Sequence, residues 1–197
     1  MRVLILLCGL LLVACSGAKT EAPRSGPWTL TSQESLVRFV SIKKGTIAES
    51  HTFTELSGSI DNDGAALISV KLDSVETYIT VRNERMRQYL FETQPTPVAA
   101  IKAQLNMANY SAYKVGERGG DEITVQVAMH GKVQNYEAEI LVTRISENMV
   151  LVESRSPVFV DAADFDMVAG VAKLQELAKL PSITTVVPVS FSLVFER

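Results

Sequence analysis

The chain has 197 residues, with 19 Lys and Arg against 22 Asp and Glu, for a net charge of -3. With 47% hydrophobic and 21% charged residues it has the balance of a globular protein with one sizeable core, which excludes disorder, collagen, coiled coil and a multi-span membrane protein. The mildly acidic balance argues against nucleic acid as a partner, and two cysteines with two histidines leave little material for a metal or redox site.

Arg2 precedes an almost wholly apolar run from Val3 to Val13. One positive charge before a run too short to span a bilayer predicts a signal peptide over residues 1–14. The run ends Leu12-Val13-Ala14-Cys15-Ser16, which looks like a bacterial lipobox. Small residues before the cysteine admit the lipoprotein signal peptidase, and the Cys15 thiolate takes a thioether-linked diacylglycerol. Cleavage removes Cys8, so no intramolecular disulfide forms in a compartment that would permit one. Ser16, in place of Asp, resembles an outer-membrane address, with the protein lipid-anchored in the cell envelope and facing the periplasm. Residues 16–27 are small, polar and rich in Gly and Pro, so 15–27 reads as a lipidated N-terminus and flexible tether. The membrane is then a partner through this lipid alone.

From Trp28 the rhythm is mostly period 2, the mark of strands. Leu36, Arg38, Val40 and Ile42 share one face; Val37, Phe39 and Ser41 share the other. Phe53 opens a strand carrying Leu56, Gly58 and Ile60. Asp61-Asn62-Asp63-Gly64 turns it back through Ala66, Ile68, Val70 and Leu72 as a hairpin. Val81–Phe91 sets Met86, Tyr89 and Leu90 on one helical face. After Pro95 and Pro97, Val98–Met107 reads as a strand and Gly116–Gly120 as a loop. Ile123, Val125, Val127 and Met129 alternate in the next strand. Gly131-Lys132 turns the chain, leaving His130 exposed beside the turn, and Tyr136, Ala138, Ile140 and Val142 follow. Met167, Val171, Leu174 and Ala178 mark an amphipathic helix, capped by Asp166 and ended by Pro181. The last strand carries Val187, Val189, Phe191, Leu193 and Phe195 on one face.

The fold class is therefore all-β, an antiparallel barrel of about eight strands over residues 28–197 with two short helical inserts. A sandwich satisfies the same periodicity. An eight-stranded barrel either fills with side chains or holds one small ligand.

Several patterns occur in order. Trp28-Thr29-Leu30 precedes Ser35-Leu36-Val37-Arg38-Phe39, then Phe53-Thr54-Glu55-Leu56-Ser57-Gly58-Ser59-Ile60 and Ser74-Val75-Glu76-Thr77. Arg82-Asn83-Glu84-Arg85-Met86-Arg87-Gln88-Tyr89-Leu90-Phe91-Glu92 and Pro97 follow, then His130-Gly131-Lys132-Val133 and Asp164-Phe165-Asp166-Met167. Together these resemble the YceI-like family of bacterial periplasmic and secreted proteins. The resemblance implies a lipocalin-like barrel whose apolar interior holds an isoprenoid lipid, a polyprenyl phosphate or an isoprenoid quinone, with no catalytic residues and no cofactor. Departures from the family pattern are His51 and Asp166, where glycine is usual, and Asn83 and Arg85, where Asp and His are usual.

On this reading Phe39, Phe53, Met86, Leu90, Phe91, Val125, Ile140, Phe191 and Phe195 are candidate ligand-binding residues, and Arg82 and Arg85 are candidates for the head group. An arginine fork fits phosphate oxygens; a solvated helix face paired with Glu84 and Glu92 is the plainer account. No nucleophile elbow accompanies His51 or His130, so no enzyme is expected. Asp161, Asp164 and Asp166 lack the acidic twelfth ligand of a calcium loop, which falls on Ala172, so no metal is expected. The alternative function is a non-catalytic envelope interaction module with a filled barrel core. Cys15→Ser should leave an unprocessed precursor and abolish palmitate incorporation, as read by metabolic labelling.

Overall fold

The computed structural model describes residues 26–197; Cys15, the expected signal peptide and most of the tether lie outside the described residues. Twelve strands trace eight antiparallel paths among them. β1 (Trp28–Leu30) turns through Ser32–Glu34 into β2 (Leu36–Lys43), and β3 (Ile47–Phe53) bends into β4 (Leu56–Ile60). β5 (Ala65–Lys71) continues through Leu72–Ser74 into β6 (Val75–Glu76). Next come β7 (Val98–Gln104), β8 (Arg118–Met129) and β9 (Lys132–Ser146), then β10 (Met149–Ser154), which leads into β11 (Val158–Asp161), and finally β12 (Val186–Glu196). Each path pairs with its chain neighbour. β12 closes the ring: one edge pairs with β10 and β11, the other with β1 and β2. The result is a closed eight-path antiparallel barrel, and the sandwich alternative is set aside by that closure.

Where a path bends, the ladder loses bonds and serine side chains supply them. The Ser74 hydroxyl accepts from the Thr54 and Glu55 amides at 3.2 and 3.1 Å and donates to the Lys71 carbonyl at 2.6 Å. Ser32 accepts from the Leu56 amide at 3.1 Å, and Ser35 from the Val194 amide at 2.9 Å. These short polar side chains replace backbone partners and so permit bends without buried, unpaired amides. At the hairpin tip Asp61 Oδ1 accepts from the amides of Asp63 and Ala65.

Two helical segments cover one end of the barrel. α1 (Thr80–Arg85) runs into a π-helical turn (Met86–Leu90) closed by the Phe91 amide on the Met86 carbonyl at 2.9 Å. A four-residue helix, α2 (Ala108–Ser111), lies between β7 and β8, and α3 (Val168–Leu177) precedes β12. α3 meets the π turn at Gly170, where an added Cβ would lie 2.4 Å from the Tyr89 carbonyl oxygen and 2.9 Å from Leu90 Cα. Arg85 ties the two segments by donating to the Leu177 carbonyl at 3.3 Å, at the C-terminal end of α3. No helix among the described residues is long and apolar enough to cross a membrane.

Several expectations need correcting. Phe53 ends a strand instead of opening one, since the bend at Thr54-Glu55 splits that path; β3, β10 and β11 carried no clean alternation and were not anticipated. α2 is a third helix beyond the expected two. Residues 118–120 belong to β8, not to a loop; at Gly119 the Tyr113 hydroxyl lies 1.9 Å from where a Cβ would be, so a larger residue would have to displace that side chain. His130 is not exposed: with Gly131 it forms a two-residue turn, both at positive φ, and its side chain is only 13% exposed, with Nε2 3.4 Å from Glu92. Asp166 does not cap α3; it sits in a left-handed conformation and pairs with Lys132 at 2.8 Å. Gly170→Ala should force the helical cap apart and lower stability by roughly 1–3 kcal/mol, as overpacking typically does, read as a drop in the thermal midpoint.

Candidate functional site

The barrel interior is built from the inward positions of every path. These are mostly apolar, valine being frequent beside larger aliphatic and aromatic side chains, and two chambers of about 390 and 470 Å³ remain. The smaller, upper chamber lies toward Trp28, Ile60, Leu105 and Met107. The larger, lower chamber lies beneath the helical cap. A belt of Val37, Val70, Ile101, Val127, Val160 and Val189 lines both, so they join at a common waist. Ile79 and Val81, each nearly half exposed, border the lower chamber. A filled core, the alternative raised from sequence, is not what forms.

All nine candidate ligand-contact residues line these chambers. Phe39, Phe53, Met86, Leu90 and Phe91 line the lower one; Val125, Ile140, Phe191 and Phe195 line the upper. Phe53 packs on Phe39 and on Phe91 with ring centroids 5.5 Å apart in each case, and Phe39 meets Phe91 edge-on at 6.4 Å. Such a cluster fixes an apolar wall in a single arrangement.

Arg82 and Arg85 also border the lower chamber, but both are held by the protein. Arg82 pairs with Glu49 at 2.8 Å and donates to the Thr77 carbonyl at 2.7 Å; Arg85 reaches Leu177 as described. Arg87 donates to the Asp73 carbonyl at 2.6 Å. The pairing with Glu84 and Glu92 expected from helix spacing is not what these arginines make, because carbonyls and Glu49 on neighbouring elements come closer. Asn83 is buried behind the wall, accepting from the Thr77 amide at 2.9 Å and hydroxyl at 2.5 Å. It therefore shapes the entry to α1.

The inward face of β2 and β3 changes character along its length. Near the waist it is Val37, Phe39 and Phe53; toward the Lys44-Gly45 turn it becomes Ser41, Lys43, Glu49 and His51. Lys43 lies 2.7 Å from Glu49, on the same oxygen that Arg82 reaches. The Lys43 hydrogen bond and the Arg82 charge outweigh partial burial and hold the Glu49 carboxyl below its ordinary value. His51 is 1% exposed, packs on Phe39 at 5.1 Å, and has Nε2 2.8 Å from the Ser41 hydroxyl. Burial, with help from the Arg82 charge, lowers its pKa to about 4. Sequence reading missed this polar group because it missed β3. The signal was there: Glu49, His51 and Phe53 alternate, in register with Ser41, Phe39 and Val37.

The three aspartates weighed as a calcium site serve the fold. Asp161 accepts from the Ala163 amide at 3.0 Å, Asp164 from the Tyr136 hydroxyl at 2.8 Å, and Asp166 pairs with Lys132. Burial and that carboxylate together raise the Tyr136 pKa, keeping the phenol protonated in the chamber wall.

A family model described as the YceI-like domain matches residues 28–195. The chain belongs to the YceI-like family. Among solved structures, it is 37% identical to a polyisoprenoid-binding domain from Saccharophagus degradans implicated in plant cell wall breakdown, with a TM-score of 0.83, covering 86% of this chain and 97% of that one. BcnA of Burkholderia cenocepacia shares the fold at 15% identity and a TM-score of 0.65, over 84% of this chain and 98% of its own. No match is found among the curated proteins. The closed antiparallel barrel of this YceI-like chain matches the fold of these structures.

The sign of the His51 shift sets a stability prediction. Its folded pKa lies below the unfolded value of 6.5, so the unfolded state binds the proton first as pH falls. Stability should drop between about pH 6.5 and 4 by up to roughly 3 kcal/mol from this group, an order-of-magnitude figure from the shift. Denaturant unfolding of wild type and His51→Phe across that window should show a shallower pH dependence in the variant.

Proposed function

We propose that this protein is an envelope lipoprotein that binds, sequesters or carries an isoprenoid lipid, a polyprenyl phosphate or an isoprenoid quinone, inside the barrel. The observation that carries this reading is the pair of joined, apolar chambers within a closed barrel. Burying a prenyl chain there releases its water and contributes roughly 0.8 kcal/mol per methylene-sized group. The polyisoprenoid-binding relative supports the ligand class, and the lipobox at Cys15 supports the envelope location, at the outer membrane on the Ser16 rule. Nothing in the reading calls for catalysis or a cofactor.

In this account the nine apolar residues contact the chain, while Arg82 and Arg85 border the end where the head group lies. Membrane attachment comes through the lipid on Cys15, and residues 16–27 give the barrel reach from the bilayer.

Solvent extraction of the purified full chain followed by mass spectrometry should yield a co-purifying isoprenoid. Phe191→Asp places an unpaired charge in the chamber wall and should abolish its recovery. Circular dichroism of the variant must first show the barrel intact, and recovery of the same lipid from a folded Phe191→Asp protein would count against the chamber.

A further inference from the structure

The lower chamber holds two buried polar atoms that no protein group satisfies. One is His51 Nδ1; the other is Arg82 Nε. Both residues line the same chamber. Buried polar atoms in native proteins almost always have a partner, so two orphans on one cavity wall mark where a partner is missing. His51 is almost wholly buried on the inward face of β3, and its other ring nitrogen is already engaged by Ser41.

We propose that Ser41 and His51, together with the Arg82 Nε–H, form the head-group site of the lower chamber, and that this site takes a neutral oxygen head, a carbonyl or a hydroxyl, in preference to a phosphate. The proposal rests on the isoprenoid reading above and narrows it.

The chemistry follows from the inventory of donors. A serine hydroxyl can both donate and accept. With Ser41 donating to Nε2, His51 carries its proton on Nδ1 and donates to a ligand carbonyl. With Ser41 accepting from Nε2–H, Nδ1 presents a lone pair to a ligand hydroxyl. One rotation of the Ser41 hydroxyl therefore serves either kind of oxygen. Arg82 Nε is a donor only, and both oxygens can accept from it. His51 is uncharged near neutral pH, because burial disfavours its cation, so it offers no charge to an anion.

The cations nearby are not free for a phosphate. Lys43 and Arg82 both lie on Glu49 Oε2, at 2.7 and 2.8 Å. An anionic head would sit against that carboxylate or displace it from two partners at once. A neutral oxygen needs neither. Phe39, whose ring packs on His51, and the adjacent Phe53 and Phe91 then carry the apolar wall from the head toward the waist.

The test uses the full chain purified in detergent, with a fluorescent polyprenyl probe displaced by four unlabelled ligands: a prenylated benzoquinone, a prenyl alcohol, a prenyl monophosphate and headless squalene. Wild type should bind the quinone and the alcohol about tenfold more tightly than squalene, the effect of one well-placed hydrogen bond in a buried site. His51→Phe should erase that margin and leave squalene unchanged. Ser41→Ala, a smaller change, should reduce the margin in the same direction, and it decides the matter where His51→Phe does not fold. Glu49→Gln should raise affinity for the monophosphate relative to the quinone. Equal affinity of wild type for headed and headless neutral ligands, or equal losses for all four ligands in both His51→Phe and Ser41→Ala, overturns the head-group site and leaves the isoprenoid tunnel standing. A preference for the monophosphate in wild type overturns it as well. Failure of wild type to bind any of the four removes the isoprenoid reading and the site together.

Discussion

The pairing of β12 along both its edges is the constraint from which the rest of the molecule follows. Eleven residues serve four other strands, and that double engagement turns a meander into a ring. Once the ring is closed, the lumen width is set by strand number and tilt and no longer by what the side chains would choose. An open sheet with so apolar a face would collapse onto a partner layer. A closed one cannot, so space the side chains do not fill stays inside the ring. The chambers are thus a consequence of backbone closure.

Closure also explains why the bends are sewn with serines. The barrel's paths bend, and a bend breaks ladder hydrogen bonds. Ser32, Ser35 and Ser74 each sit at such a break and bond the backbone of a neighbouring path. Glycine is used where another group must come close to the chain: Gly119 under the Tyr113 hydroxyl, and Gly170 against the π turn. In both cases the demand comes from tertiary packing, which is why neither could be recognised from local sequence.

Much of the barrel was legible because its inward face is apolar on paths with clean alternation. The runs Ile123–Met129, Tyr136–Val142 and Val187–Phe195 each declared a strand and its inner face. Legibility failed where the inner face turned polar. Ile47–Phe53 puts Glu49 and His51 inside, so its alternation carried no hydrophobic signal and the strand went unread. The same failure hid the candidate head-group residues, since a buried histidine and a half-buried glutamate look like surface residues until the register with Phe39 and Ser41 is known. The apolar candidates line the chambers because barrel interiors demand the residue types that mark an inward face.

The arginines show the opposite limitation. Their clustering in Arg82–Arg87 suggested a clamp for a bound anion, yet each one is spent on the fold: Arg82 joins α1 to β3 through Glu49, Arg85 ties α1 to the end of α3, and Arg87 fixes the π turn to the Asp73 carbonyl. Charge-assisted bonds to carbonyls on separate elements hold the helical cap over the lower chamber. Unsatisfied on residues lining the lower chamber are Arg82 Nε and His51 Nδ1; Arg197, which lines the upper chamber, also has an unsatisfied Nε. The electrostatics of the cap and of the chamber are therefore one problem: a single Glu49 carboxylate engages both Lys43 and Arg82, so the contact that holds the cap also fixes the charges facing the space beneath it.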